Sequence, residues 1–185
     1  MKLLCFDNPL FQHSSIPLFP ETNIMNKLVA LEQLTNIVNQ ARSNGKKIVW
    51  TNGCFDIIHA GHVDYLERSK AYGDFLVVGL NSDASVKKLK GDVRPIFSEM
   101  DRAKVLCSIV YVDYVILFSD RRPIKLLELL QPDYYIKGGD YTIDTIDQNE
   151  RKLVESYGGK IVLLPMVEGV SSSIIVEKIR KLSDI

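Results

Sequence analysis

Five short apolar runs rich in β-branched and aromatic residues recur along the chain: IVWT at 48–51, FLVVGL at 75–80, YVILF at 114–118, YYIK at 134–137 and KIVLLP at 160–165. None alternates strictly between apolar and polar, which is the pattern of a strand buried on both faces. Helical spacing fills the gaps between them. Leu28, Leu31, Leu34, Ile37, Val38 and Ala41 fall on one helical face ahead of the first run, with Gly45 as a stop. Ser98 stands three residues before Asp101, as in a capping box, and Ala103, Leu106, Cys107 and Val110 follow on one face. Pro123 suits the first turn of PIKLLELL, and Gly158 the end of a helix around NERKLVESY. Strand and helix taking turns at this spacing predicts an α/β fold, a Rossmann-like, doubly wound, five-stranded parallel sheet with helices on both faces in a single domain. Such sheets bind ligands beyond the C-terminal ends of their strands, so the loops leaving the five runs are the places to search.

A chain of 185 residues has room for one domain with a sizeable core. Its 46% apolar and 25% charged residues exclude wholesale disorder. Because 23 basic side chains balance 23 acidic ones, no overall field attracts nucleic acid or a membrane, and neither is expected as a partner. Cys5, Cys54 and Cys107 are far apart and odd in number, which points to neither a disulfide framework nor a zinc knuckle. The N-terminus lacks an apolar core of signal-peptide length, and no run approaches the roughly 20 apolar residues of a membrane span, so a soluble, cytoplasmic protein is expected. Residues 1–25, with Pro9, Pro17 and Pro20 and no sustained period, read as an irregular arm before a domain at 26–185. The apolar arm and first helix together lead to the expectation of a homodimer.

The stretch TNGCFDIIHAGH, 51–62, leaves the first run and enters a helix near His62 with apolar positions Val63 and Leu66. A turn from strand to helix presents unpaired backbone N–H groups and the positive end of the helix dipole, which favour an anion. Gly53 and Gly61 would let the backbone approach it closely. Zinc ligation by His59 and His62 would need a third ligand such as that of HExxH, and a serine hydrolase would need a GxSxG elbow; neither motif occurs. The plain alternative is a pair of helix-capping polar side chains. In GVSSSIIVEKI, 169–179, Ser171, Ser172 and Ser173 can cap a helix and also donate hydroxyls to phosphate oxygens. In GLNSDASVKKLKGDVRPI, 79–96, Lys87, Lys88, Lys90 and Arg94 gather cations where a parallel sheet presents ligands, although a solvated loop would look alike. Asp83 there either meets a ligand hydroxyl or Mg²⁺, or caps the next helix. KGGDYT, 137–142, places Lys137, Gly138 and Asp140 after the fourth run, in a ligand loop or an ordinary turn. Neither a Walker A motif nor GxGxxG is present.

GCFDIIHAGH, with His59, Gly61 and His62 behind a strand, resembles the HxGH signature of the nucleotidyltransferase superfamily, whose cytidylyltransferase-like members move nucleotidyl groups onto phosphorylated small molecules. GVSSSIIVEKI resembles its second signature. With NSDASVKKLKG, RPI, EMDRAKVL, VDYVI and KGGDYT added, the chain resembles the heptose 1-phosphate adenylyltransferases over roughly residues 26–182. The resemblance implies adenylyl transfer from ATP to a heptose 1-phosphate, giving ADP-heptose and pyrophosphate for lipopolysaccharide cores. It implies His59, His62 and Lys90 as catalytic residues. Thr51, Asn52, Gly53, Cys54, Phe55, Gly61, Asp83, Lys88, Arg94, Ser171, Ser172 and Ser173 would then bind the nucleotide. Asp56, Lys137, Gly138 and Asp140 would bind the sugar 1-phosphate, and Mg²⁺ would be carried on the ATP phosphates without a dedicated protein cage. Many relatives carry a sugar kinase domain in the same polypeptide; 185 residues leave no room for one, and a standalone form is expected. The arm before Met25 has no counterpart. Related cytidylyltransferases carry an arginine just ahead of the serine cluster where this chain has Met166, so another basic residue is expected to serve the phosphates. Two other readings remain open: cytidylyl transfer to glycerol 3-phosphate or ethanolamine phosphate, and a non-catalytic nucleotide-binding module. The intact His59, Gly61, His62 and serines speak against the last.

Overall fold

A computed structural model describes residues 24–139, 141–165, 169 and 171–182. A 3₁₀ turn at Ile24–Lys27 leads into α1 (Leu31–Ser43), and then β1 (Ile48–Gly53), α2 (Ala60–Lys70), β2 (Phe75–Asn81), α3 (Asp83–Lys90) and α4 (Glu99–Ser108) follow. The second half runs β3 (Tyr114–Phe118), α5 (Ile124–Leu130), β4 (Tyr134–Gly138), α6 (Gln148–Ser156), β5 (Lys160–Leu164) and α7 (Ser172–Leu182). The strands lie in the order β3-β2-β1-β4-β5, every pairing is parallel, and the five runs read from the sequence are the five strands.

The apolar runs lack strict alternation because both faces of the sheet are covered. Ile48 and Trp50 of β1 face one way, into a core with Leu34 and Val38 of α1, Leu126, Leu127 and Leu130 of α5 and Val154 of α6. Val49, between them, faces the other way, into a core with Leu66 of α2 and Ala103, Leu106 and Cys107 of α4. Trp50, almost fully buried, lies against Gly79 of β2: a Cβ at position 79 would meet the indole at 2.4 Å.

Three local expectations need correction. Helical periodicity begins at Leu28, but α1 starts at Leu31, because Leu28 forms a parallel bridge with Val115 and the Val29 N–H donates to the Val115 carbonyl at 3.0 Å. The chain therefore touches the edge of β3 before it coils. Val110, expected on the buried face of α4, lies beyond the C-cap Ile109 and is 80% exposed. Val63 is exposed, and Leu66, with Tyr65 packed against the same core, carries the apolar face of α2. Other boundary signals agree with the structure: Gly45 (φ 68°) follows α1, Ser98 caps α4 by accepting from the Asp101 N–H, and Gly158 (φ 83°) follows α6.

From β1 the chain moves outward through β2 and β3, then returns to pair β4 on the opposite side of β1 and ends at β5. The direction of winding thus reverses between β1 and β4, which opens a crevice at their C-terminal ends. The HAGH turn leaves one of these strands and KGGDYT leaves the other. The expected arm at 1–25 lies outside the described residues apart from Ile24 and Met25, and Ile24 packs on the second core. Among the described residues, no helix is long and apolar enough to cross a membrane.

Candidate active site

The turn after β1 is rigidly built. Phe55 has a left-handed backbone (φ 45°), a conformation costly for any residue with a Cβ, and burial of its ring holds it there. Gly53 makes room for that ring, since a Cβ at 53 would lie 3.2 Å from it. His59 then occupies the N-cap position of α2 in extended conformation. Its carbonyl accepts from the His62 N–H at 2.8 Å, its own N–H approaches Nδ1 of His62 at 3.4 Å, and the two rings lie 4.0 Å apart. With Nδ1 of His62 as an acceptor, the neutral ring carries its proton on Nε2. Burial first, then the nearby positive charges of His59 and Lys90, lowers the His62 pKa to about 4. Burial also lowers His59. At neutral pH, His62 is therefore an uncharged hydrogen-bond donor beside a helix N-terminus, a place that favours an anion.

A cavity of about 420 Å³ opens at the crevice in front of this turn. Its floor is Asn52, Gly53 and Cys54, with His59, Gly61 and His62 on one side. Lys90 borders it from the last turn of α3, Arg121 from the loop between β3 and α5, Lys137 and Gly138 from the end of β4, and Ser172 from the first turn of α7. The Ser172 hydroxyl donates to the Ile57 carbonyl at 3.3 Å and so ties the α7 wall to the HAGH turn. Ser171 caps α7, its Oγ accepting from the Ile174 N–H at 3.2 Å, whereas Ser173 is exposed away from the cavity. The Cys54 thiol is pushed up by burial, with Lys90 and Arg102 partly opposing that, so it is no ready nucleophile.

Buried ion pairs hold the surrounding loops. The Asp56 carboxylate accepts from Arg94 at 2.5 Å and from the Ile96 and Phe97 N–H groups at 2.6 and 3.2 Å. Arg102, 1% exposed, reaches four places: the carbonyls of Phe97, Cys54 and Asn81 and the Asp83 carboxylate at 2.7 Å. On the far side, Glu150 of α6 is buried against the Tyr135 hydroxyl at 2.8 Å and the Lys137 ammonium at 2.8 Å, and the same hydroxyl lies 2.7 Å from Asn52 Oδ1. Burial first, then the Glu150 charge, pushes Tyr135 well above the ordinary tyrosine range, so it stays a neutral donor.

The structure thus brings Asn52, Gly53, Cys54, Phe55, Asp56, His59, Gly61, His62, Lys90, Lys137, Gly138 and Ser172 to one cavity. Several other expectations fail on geometry. Thr51 is fully buried and bonded to the Tyr65 hydroxyl at 2.6 Å, so it cannot touch a nucleotide. Asp83 is committed to Arg102, and the helix it begins is capped by Ser82. Arg94 is committed to Asp56, which leaves that carboxylate a brace for the 94–97 loop, although it borders the cavity. Lys88 is exposed and outside the cavity wall. Gly138 borders the cavity, and packing alone already requires glycine there, since a Cβ would sit 2.6 Å from the Tyr65 ring. Asp140 and Met166 lie outside the described residues. Arg102, Arg121, Tyr135 and Glu150 were not singled out from the sequence. Arg102 and Glu150 each stand one turn ahead of a buried apolar residue, Leu106 and Val154, on the same helical face, which is a readable sign of a buried charge. Arg121 follows a strand end, where ligands were to be sought.

The cytidylyltransferase-like family model matches residues 50–178, a span that runs from β1 into α7 and takes in the whole cavity wall. The chain belongs to this family. The matched span includes the HAGH turn and the serine wall of this cytidylyltransferase-like chain. Two bifunctional proteins HldE are similar to it. That of Geotalea uraniireducens (strain Rf4) is 48% identical over 154 residues, covering 83% of this chain and 31% of the relative. That of Pseudomonas paraeruginosa (strain DSM 24068 / PA7) is 49% identical over 154 residues, covering 83% and 32%. The chain spans about a third of the length of these relatives. The crystal structure of the lipopolysaccharide core biosynthesis protein from Thermoplasma volcanium GSS1 is 31% identical, with a TM-score of 0.54, and the match covers 66% of this chain and 98% of that one.

Proposed function

We propose that this cytidylyltransferase-like chain transfers an adenylyl group from ATP to a heptose 1-phosphate, with ADP-heptose and pyrophosphate as products. The observation that carries the reading is the joint presence, around one cavity, of a neutral His59–His62 pair at a helix N-terminus, the Ser172 hydroxyl and the cationic Lys90 and Arg121. Similarity to proteins named HldE and to a lipopolysaccharide core biosynthesis protein supports the heptose acceptor.

In this reaction an oxygen of the acceptor phosphate bonds to the α-phosphorus of ATP as the bond from that phosphorus to the bridging oxygen breaks, and the electron pair leaves with pyrophosphate. The attacking oxygen is already anionic at neutral pH, so no general base is needed. What remains is alignment and the stabilisation of charge on the transferring and leaving groups. His62 would donate from Nε2 to the transferring phosphoryl, with the N–H groups of the first turn of α2 beside it. Lys90 and Ser172 would hold the outer phosphates. Lys137, fixed by Glu150 and lying 4.8 Å over the Tyr135 ring, is placed to orient a substrate and is poorly placed to neutralise one. Magnesium would neutralise and shape the triphosphate. The two described carboxylates bordering the cavity, Asp56 and Glu150, are both engaged by donors, so the ion would be held by phosphate and water oxygens.

Pyrophosphate release from ATP and a heptose 1-phosphate tests the reading. The expected result is turnover with this pair and little with CTP and glycerol 3-phosphate. Turnover only with the second pair would replace the substrates, and release with neither would overturn enzyme and substrates together.

A further inference from the structure

The segment SDRRPIK, 119–125, contains three basic side chains, and their surroundings differ. Arg122 pairs with Asp147 at 2.6 Å and Lys125 with Asp120 at 3.5 Å, and neither borders the cavity. Arg121 does border it and has no ion-pair partner among the described residues. Around the same cavity, Arg94, Arg102 and Lys137 are all neutralised by carboxylates, which among the described residues of its wall leaves Lys90 and Arg121 as cations with charge to spare. The proposed reaction brings two anions into one space, the triphosphate and the acceptor phosphate. In that reading the HAGH turn after β1 and Ser172 of α7 serve the first. Arg121 comes from beyond β3, at the other edge of the sheet.

We propose that Arg121 grips the phosphate of the acceptor sugar. The inference rests on the adenylyl-transfer reading and adds to it the residue that recognises the second anion. A guanidinium is suited to this task because its planar fork meets two phosphate oxygens at once and keeps its charge at any physiological pH. It would also screen the approach of one anion to another.

Steady-state kinetics of pyrophosphate release, with ATP and a heptose 1-phosphate varied in turn, tests the assignment. For Arg121→Ala, the acceptor KM should rise about 10- to 100-fold, the loss of a charge-assisted, two-pronged contact, while the ATP KM stays within about threefold. Arg121→Lys should recover part of that loss, since charge is kept and the fork is not. Lys125→Ala, on the same segment but away from the cavity, should match the wild type. An unchanged acceptor KM in Arg121→Ala, or a rise confined to ATP, overturns the inference and leaves the adenylyltransferase reading intact. A wild-type protein that neither turns over nor shows calorimetric binding of the heptose 1-phosphate overturns both.

Discussion

His62 shows how one residue can be prepared for a ligand by its own surroundings. Removing a preorganised donor of this kind typically costs about 10²- to 10³-fold in turnover, so His62→Ala should lose that much pyrophosphate release. Its stability at neutral pH should change by about 1 kcal/mol or less, which urea titration would show. The pH dependence has a definite sign. The folded protein holds His62 at about 4 while the unfolded chain holds it near 6.5, so between those values the unfolded state binds the extra proton. Stability should therefore fall as pH drops through that window, by at most about 3 kcal/mol from this residue, and His62→Gln should flatten the slope in denaturation curves taken across it. The position of the histidine was legible in the sequence, because a motif at a strand-to-helix turn fixes its own geometry. The roles of Asp83, Arg94 and Asp56 were not. Nothing local tells whether a charge will face a ligand or a countercharge, and here Arg102 and Asp56, distant in sequence, claimed the first two.

Among the elements, β1 and β2 position the site through their mutual packing. Gly79 lies under Trp50 and next to Asn52, whose Cβ would be 3.1 Å from a Cβ at 79. Gly79→Ala should cost about 1–3 kcal/mol, the usual penalty for overfilling a packed core, and should also lower turnover by displacing the cavity floor. A small shift of the denaturation midpoint would show that the indole moves aside freely. Strand positions could be read almost to the residue because each buried strand needs its own unbroken apolar run, and YVILF at 114–118 is observed as β3. The ends of helices were less readable. Leu28 fits the helical stripe of α1, yet a single backbone bond from Val29 to Val115 wins that segment for the sheet edge. In the same way the Tyr65 ring packs against Gly138 at the cavity edge, a contact that no local pattern could have announced.

For the molecule as a whole, the site draws on the loops of both halves of the sheet, so a nucleotide bound across it should stabilise the entire fold. At ATP 100-fold above its Kd, the gain should be about 2.7 kcal/mol, visible as a rise in Tm in one cooperative transition; a Tm indifferent to ATP would mean that the cavity does not hold it. The order of winding was legible only in part. Alternating strands and helices dictate a parallel sheet, but the reversal between β1 and β4 that creates the crevice is a property of the complete chain. The buried Arg102 has a consequence at this scale. One guanidinium joins the turn after β1, the end of β2, the 97 loop and the start of α3, and none of these can drift while the others stay. Catalytic competence and foldedness then become a single property: a population ageing under heat stress will divide into fully able molecules and dead ones, with few sluggish survivors in between.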